Sequence, residues 1–185
     1  MKTISAGLLA RTGSLVGAGL LALFIAHPVV AAVGSAGSTP TCHGQPATIV
    51  GTSSADHLVG TPHKDVIVGL GSNDVIRGRG GEDVICGNGD DDTISGGRGA
   101  DFVSGGSGND SIEGDDGDDV LVGNTGNDTI SGDDGDDVLE GDAGDDVLQG
   151  DNGDDSLSGG SGDDVEDGGN GTDTCDDDTN PSCDD

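Results

Sequence analysis

An aspartate recurs every nine residues through most of this chain: Asp56, Asp65, Asp74, Asp83, Asp92, Asp101, Asp110, Asp119, Asp128, Asp137, Asp146, Asp155, Asp164 and Asp173. Carboxylates at one fixed spacing form a file of hard, anionic oxygen donors, which suits a divalent cation that takes about six to eight oxygen ligands. Catalysis finds no such support. The sequence contains neither H-E-x-x-H nor G-x-S-x-G, so the metalloprotease and serine-hydrolase arrangements are excluded and no enzymatic activity is expected. His43, His57 and His63 fall at unrelated positions of the nine-residue period and read as exposed turn or strand residues rather than a zinc cluster.

The columns beside the aspartates show what must position them. Gly opens each repeat from Gly51 to Gly168, the aspartate is sixth, and a second Gly fills the fourth position in ten repeats, among them Gly81, Gly108, Gly135 and Gly171. Position eight is a large aliphatic from Leu58 and Ile67 through Leu148 and Leu157. Gly density excludes helix, and Val, Ile and Thr around position eight favour a strand. Each unit therefore reads as a six-residue polar turn followed by three extended residues. In such a strand the middle side chain points one way and its neighbours the other, so position eight faces inward while seven and nine face out. Two repeats make one coil of eighteen residues, and the expected fold is all-β, a solenoid of two parallel sheets around a ladder of Ile, Leu and Val.

Segments such as GGRGADFVS (96–104), GGSGNDSIE (105–113) and GNTGNDTIS (123–131) resemble the calcium-binding nonapeptide repeat of the RTX, or haemolysin-type, proteins. The resemblance implies a right-handed parallel β-roll with Ca²⁺ held between successive turns, and the fourteen sixth-column aspartates as metal ligands. It also implies a chain that is disordered at cytosolic calcium and folds outside the cell.

Elementary energetics points the same way. One buried aliphatic per nine residues falls well short of the entropy lost in ordering them. Stacking also brings sixth-column carboxylates about 5 Å apart, where two like charges repel by roughly 1 kcal/mol in water and roughly 3 at an effective dielectric of 20. A divalent ion, held by the carboxylates and the carbonyls of the Gly-rich turns, reverses the sign of that interaction. If each ion joins repeats n and n+2, the fourteen repeats hold at most about twelve Ca²⁺, which would take the net charge from −31 to −7. The remaining acids, including Asp115, Asp116, Asp133, Asp134, Asp142 and Asp151, read as a solubilising coat.

The two ends differ from the repeats. Residues 1–32 carry Lys2 and Arg11 ahead of an apolar run, Leu15 to Ala26, then Pro28 and small residues, and read as a secretory signal peptide. Residues 33–41 read as a linker. The roll is expected over 42–176, opening on a degenerate cap repeat, 42–50, with Ile49 at position eight and Ala47 where aspartate belongs. Residues 177–185 read as an acidic tail or cap. Four cysteines fit an oxidising compartment. Cys175 with Cys183 would close a small loop and leave Cys42 with Cys86, although four cysteines allow three connectivities. Glu166 and Cys175 replace the aliphatic in the last two repeats, as a terminating coil would.

Composition limits the partners. With Phe24 and Phe102 the only aromatics and Lys plus Arg totalling six, stacking platforms and basic grooves for nucleic acid are missing. The acidic surface disfavours anionic membranes, and no stable membrane insertion is expected once the leader is removed. Calcium is the expected partner, and the protein is expected outside the cell or at its surface. Two other readings use the same residues. An adhesive or ice-binding roll would need a regular Thr/Asn file, whereas positions two and three vary. A disordered acidic polyelectrolyte would match the composition but not the strict period.

Overall fold

The computed structural model describes residues 38–176 and Cys183. The expected leader, residues 33–37 of the linker and the tail apart from Cys183 lie outside the described residues.

The chain winds as a parallel β-solenoid. A hairpin of β1 (Thr41–Cys42) and β2 (Gln45–Pro46) precedes three short strands, β3 (Ile49–Val50), β4 (His57–Val59) and β5 (Val66–Val68). Longer strands follow: β6 (Val75–Gly80), β7 (Val84–Gly89), β8 (Thr93–Arg98), β9 (Phe102–Ser107), β10 (Ser111–Asp116), β11 (Val120–Thr125), β12 (Thr129–Asp134), β13 (Val138–Ala143) and β14 (Val147–Asn152). The last are β15 (Ser156–Ser158), β16 (Val165–Asn170) and β17 (Thr174–Cys175). Even-numbered strands from β4 to β16 form a seven-stranded sheet and odd-numbered strands from β3 to β17 an eight-stranded one. Every pairing within them is parallel and displaced by eighteen residues, as in Ile112↔Ile130 and Leu121↔Leu139.

The core is the position-eight column. Ile49, Leu58, Ile67, Ile76, Ile85, Ile94, Val103, Ile112, Leu121, Ile130, Leu139, Leu148 and Leu157 form one buried ladder between the sheets, with Cys175 packed against its end. Glu166 occupies the next inward place and is buried there, its Oε1 accepting the Gly159 N–H at 2.5 Å. A disulfide joins Cys175 to Cys183 beside it.

The strands are longer than the expected three residues. Ten of them have six, running from position seven through position three of the next repeat. Residues at positions two and three pair as well, as in Asp115↔Asp133 and Asp116↔Asp134, leaving the intervening Gly114 out of the register. The strand bends at that glycine, and position two turns left-handed, with φ of 76° at Asp115 and 79° at Asn124. Asn, Asp and Gly tolerate this conformation best, which explains why position two, variable in sequence, is filled mainly by them. Position four is more restrictive: Gly126 has φ of 127°, and a Cβ there would overlap the Gly108 carbonyl oxygen one coil away.

The outward direction of positions seven and nine holds in the middle of the roll but fails at its start. Val66, Val68 and Val84 are buried in a second cluster with Cys42, against which Ala47, Cys86 and Phe102 pack. The hairpin β1–β2 lies over this face, and the His43 ring stands 4.2 Å from that of Phe102. A disulfide between Cys42 and Cys86 fixes the hairpin across a sequence separation of 44. Closing a loop of that length stabilises the fold by about 4 kcal/mol in the chain-entropy account.

Candidate metal centre

The repeat places its aspartate at the corner that precedes each strand, and the stacking of coils then decides what the carboxylate meets. Twelve of the fourteen, Asp56 through Asp155, are buried; Asp164 and Asp173, in the terminal repeats, are half-buried. From Asp74 onward each carboxylate uses Oδ1 to accept the backbone N–H of the aspartate eighteen residues earlier. Asp56 donates to Asp74 at 2.8 Å, Asp110 to Asp128 at 2.7 Å, and Asp155 to Asp173 at 2.9 Å. The sixth column is therefore two continuous files, one per corner of the coil.

The second oxygen divides the files. In Asp74, Asp83, Asp92, Asp101, Asp110, Asp119, Asp128, Asp137, Asp146 and Asp155, Oδ2 is buried without a hydrogen-bond partner. It packs over the first glycine of its own repeat, so tightly that a Cβ at Gly123 would overlap Asp128 Oδ2. Asp56 and Asp65 differ, because Thr52 and Thr61 donate to their Oδ2 through both N–H and hydroxyl.

Burial without a counter-charge raises the carboxyl pKa values, and stacked carboxylates raise them further, against the lowering effect of the Oδ1 hydrogen bond. Asp92, Asp101, Asp119 and Asp128 are pushed up to about 7, and Asp74, Asp83 and Asp137 to about 6. Burial also raises Asp110, Asp146 and Asp155.

A buried anionic oxygen with no donor is costly to leave as it stands. One orphaned oxygen per repeat, in files of like charge, fits a hard cation with oxygen ligands. No Cys or neutral His shares the files, so the donor set is not that of a zinc site. Cys175 and Cys183 approach Glu166, but the two sulfurs are bonded to each other.

Several contacts escape a reading of the columns alone. The first is the Thr52 and Thr61 pair, whose only sequence signal is that no other repeat has Thr at position two. The position-five side chains form a further, exposed ladder: Asn109 N–H donates to Asp91 Oδ1, and Asn127 N–H to Asn109 Oδ1, both at 2.8 Å. The acidic coat is also less uniform than expected. Asp116, Asp134 and Asp142 are exposed, whereas Asp115, Asp133 and Asp151 are half-buried, and Asp151 accepts the Ser131 hydroxyl at 2.7 Å.

A solenoid of nine-residue repeats with a buried carboxylate in twelve of them is the architecture of a calcium-binding repeat protein. The sequence profile of the RTX calcium-binding nonapeptide repeat matches residues 48–76, 59–94, 87–121, 113–148 and 140–175. The chain belongs to that family. No curated protein matches the chain.

Proposed function

We propose that this is a secreted, non-catalytic protein that folds as it binds several Ca²⁺ ions. The observation that carries the reading is the set of ten orphaned Oδ2 atoms in the sixth column. Asp74 through Asp155 would hold the ions, with carbonyls of the Gly-rich corners completing the oxygen set; bound calcium supplies the positive charge that the files lack. The protein's own part is to hold each carboxylate in place through the backbone N–H of the preceding coil, and to keep water from the oxygen that faces the ion.

Folding and binding are then one process, because an unfolded chain has no stacked corners to offer. Export follows from the expected leader over residues 1–32 and from the oxidised cysteine pairs. Outside the cell calcium is millimolar and the ordered state is favoured; inside, the ion-free chain stays largely open.

Far-ultraviolet circular dichroism tests this. The chain in EDTA is expected to be mostly coil and to become β-rich on adding Ca²⁺ in the millimolar range typical of weak extracellular sites. An unchanged spectrum at roughly ten times that concentration would sink the reading in favour of a disordered polyanion.

A further inference from the structure

We propose that the ion files start at Asp74, and that the first two turns, residues 51–68, close without metal because Thr52 and Thr61 give Asp56 and Asp65 what calcium gives the carboxylates beyond. This rests on the calcium reading of the later carboxylates. The geometry is direct: Thr52 reaches Asp56 Oδ2 from N at 2.6 Å and from Oγ1 at 2.8 Å, and Thr61 reaches Asp65 Oδ2 at 2.7 and 2.9 Å. Each of these oxygens has two donors, whereas Oδ2 of every sixth-column aspartate from Asp74 to Asp155 has none. Two short donors on one oxygen leave little room or need for a cation there, since hydrogen bonding to the charged form already stabilises it.

Independent features of the same end agree. The hairpin β1–β2 covers Val66, Val68 and Val84, giving these turns a second apolar cluster besides the central ladder. The Cys42–Cys86 disulfide ties that cover to β7. Further along, the outer face has no such cover: Val120 and Val138, at position seven of the same sheet, are exposed.

The metal-free end is also a template. Its backbone N–H groups at Asp56 and Asp65 donate to Oδ1 of Asp74 and Asp83, the first carboxylates of the ion files, at 2.8 and 2.7 Å. In a stack whose turns contact only their neighbours, folding spreads from whichever turns are already formed. With the first coil already standing, calcium adds turns to an existing edge, and assembly runs from the N-terminal end toward β17.

Hydrogen exchange read by mass spectrometry on the oxidised protein tests this, in EDTA and in calcium. Within 48–68, the amides of Thr48, Gly51, Thr52, Thr61 and Val66, whose acceptors lie inside that segment, are expected to be protected in both, and those of 69–173 in calcium alone. Thr52→Val with Thr61→Val should remove the protection of 48–68 in EDTA while calcium still protects 69–173. Asp56→Asn should move the calcium midpoint of folding by about twofold or less and Asp128→Asn by about tenfold or more, tenfold being 1.4 kcal/mol. Native mass spectrometry should count no more ions than the ten orphaned oxygens. Exchange of 48–68 in EDTA as fast as that of 69–173 would overturn the metal-free end and leave the calcium reading intact, as would a higher ion count. Failure of calcium to protect 69–173 would overturn the calcium reading itself.

Discussion

The start and the middle of this roll have the same period and the same sixth-column aspartate, yet they are held in different ways. At the start, the carboxylates of Asp56 and Asp65 are hydrogen-bonded on Oδ2, the outer face is covered and a disulfide clamps the cover. In the middle, around Asp119, Asp128 and Asp137, the second oxygen is buried and unpartnered, and the neighbouring outer valines are exposed. One scaffold thus meets a single problem, a buried carboxylate in twelve successive repeats, with protein donors at one end, and along the rest leaves an oxygen open to the cation proposed above. The carboxylates of the first region are satisfied by its own contacts, whereas those of the second keep a buried oxygen that the proposed function assigns to a cation from the solvent.

The largest expected effect comes from breaking the middle. Asp128→Ala removes a sixth-column carboxylate and uncouples the two halves of a nearly one-dimensional stack. It should raise the calcium midpoint by about tenfold or more, whereas Asp134→Ala, at an exposed position three, should shift it by about twofold or less. Circular dichroism during calcium titration measures both, and equal shifts would mean that the chain condenses calcium diffusely.

Breaking the start should act through the chain rather than the ions. Replacing Cys42 and Cys86 by Ser is expected to lower stability by up to about 4 kcal/mol, seen as a lower thermal midpoint in saturating calcium. An unchanged midpoint would show that the hairpin contributes nothing to the roll.

The aliphatic ladder runs through both regions and gives an internal scale. Ile130→Ala, at a fully buried rung, should cost about 2–5 kcal/mol, against less than about 1 for Val138→Ala on the exposed face. Denaturant unfolding in calcium separates the two, and similar costs would place the core elsewhere.

Acid gives the subtlest contrast. In the ion-free roll Asp92, Asp101, Asp119 and Asp128 titrate near 7, above the ordinary 3.8, so folding takes up protons. The stability this contributes is full below pH 3.8, the unfolded value, and is lost as the pH rises through about 7. In EDTA, β content in the middle of the roll should therefore be higher at about pH 4 than at about pH 8, while calcium affinity should fall with pH as protons compete for the carboxylates. Ion-free β content that rises with pH would contradict the burial of these groups.

The period alone determined a good deal. Position eight had to face inward because alternate strand residues oppose each other, and the ladder from Ile49 to Leu157 follows it rung by rung. An aspartate every nine residues had to stack once two repeats made a coil, which is why the files of carboxylates were legible in the sequence, though their burial was not. Strand length was not legible, because the continuation past Gly114 depends on a left-handed residue at Asp115 that pairs with the next coil. Nor was the difference between Asp56 and Asp128: the residue types are identical, and only folding shows that Thr52 turns back to one oxygen while the corresponding oxygen of Asp128 is closed off. The hairpin over Val66 belongs to the same class, whereas the Cys42–Cys86 bond is one of the three connectivities open to the sequence, which only the fold selects. Local spacing fixes which way a side chain points; what it meets there is set by residues one or more coils away, and those come together only when the turns stack.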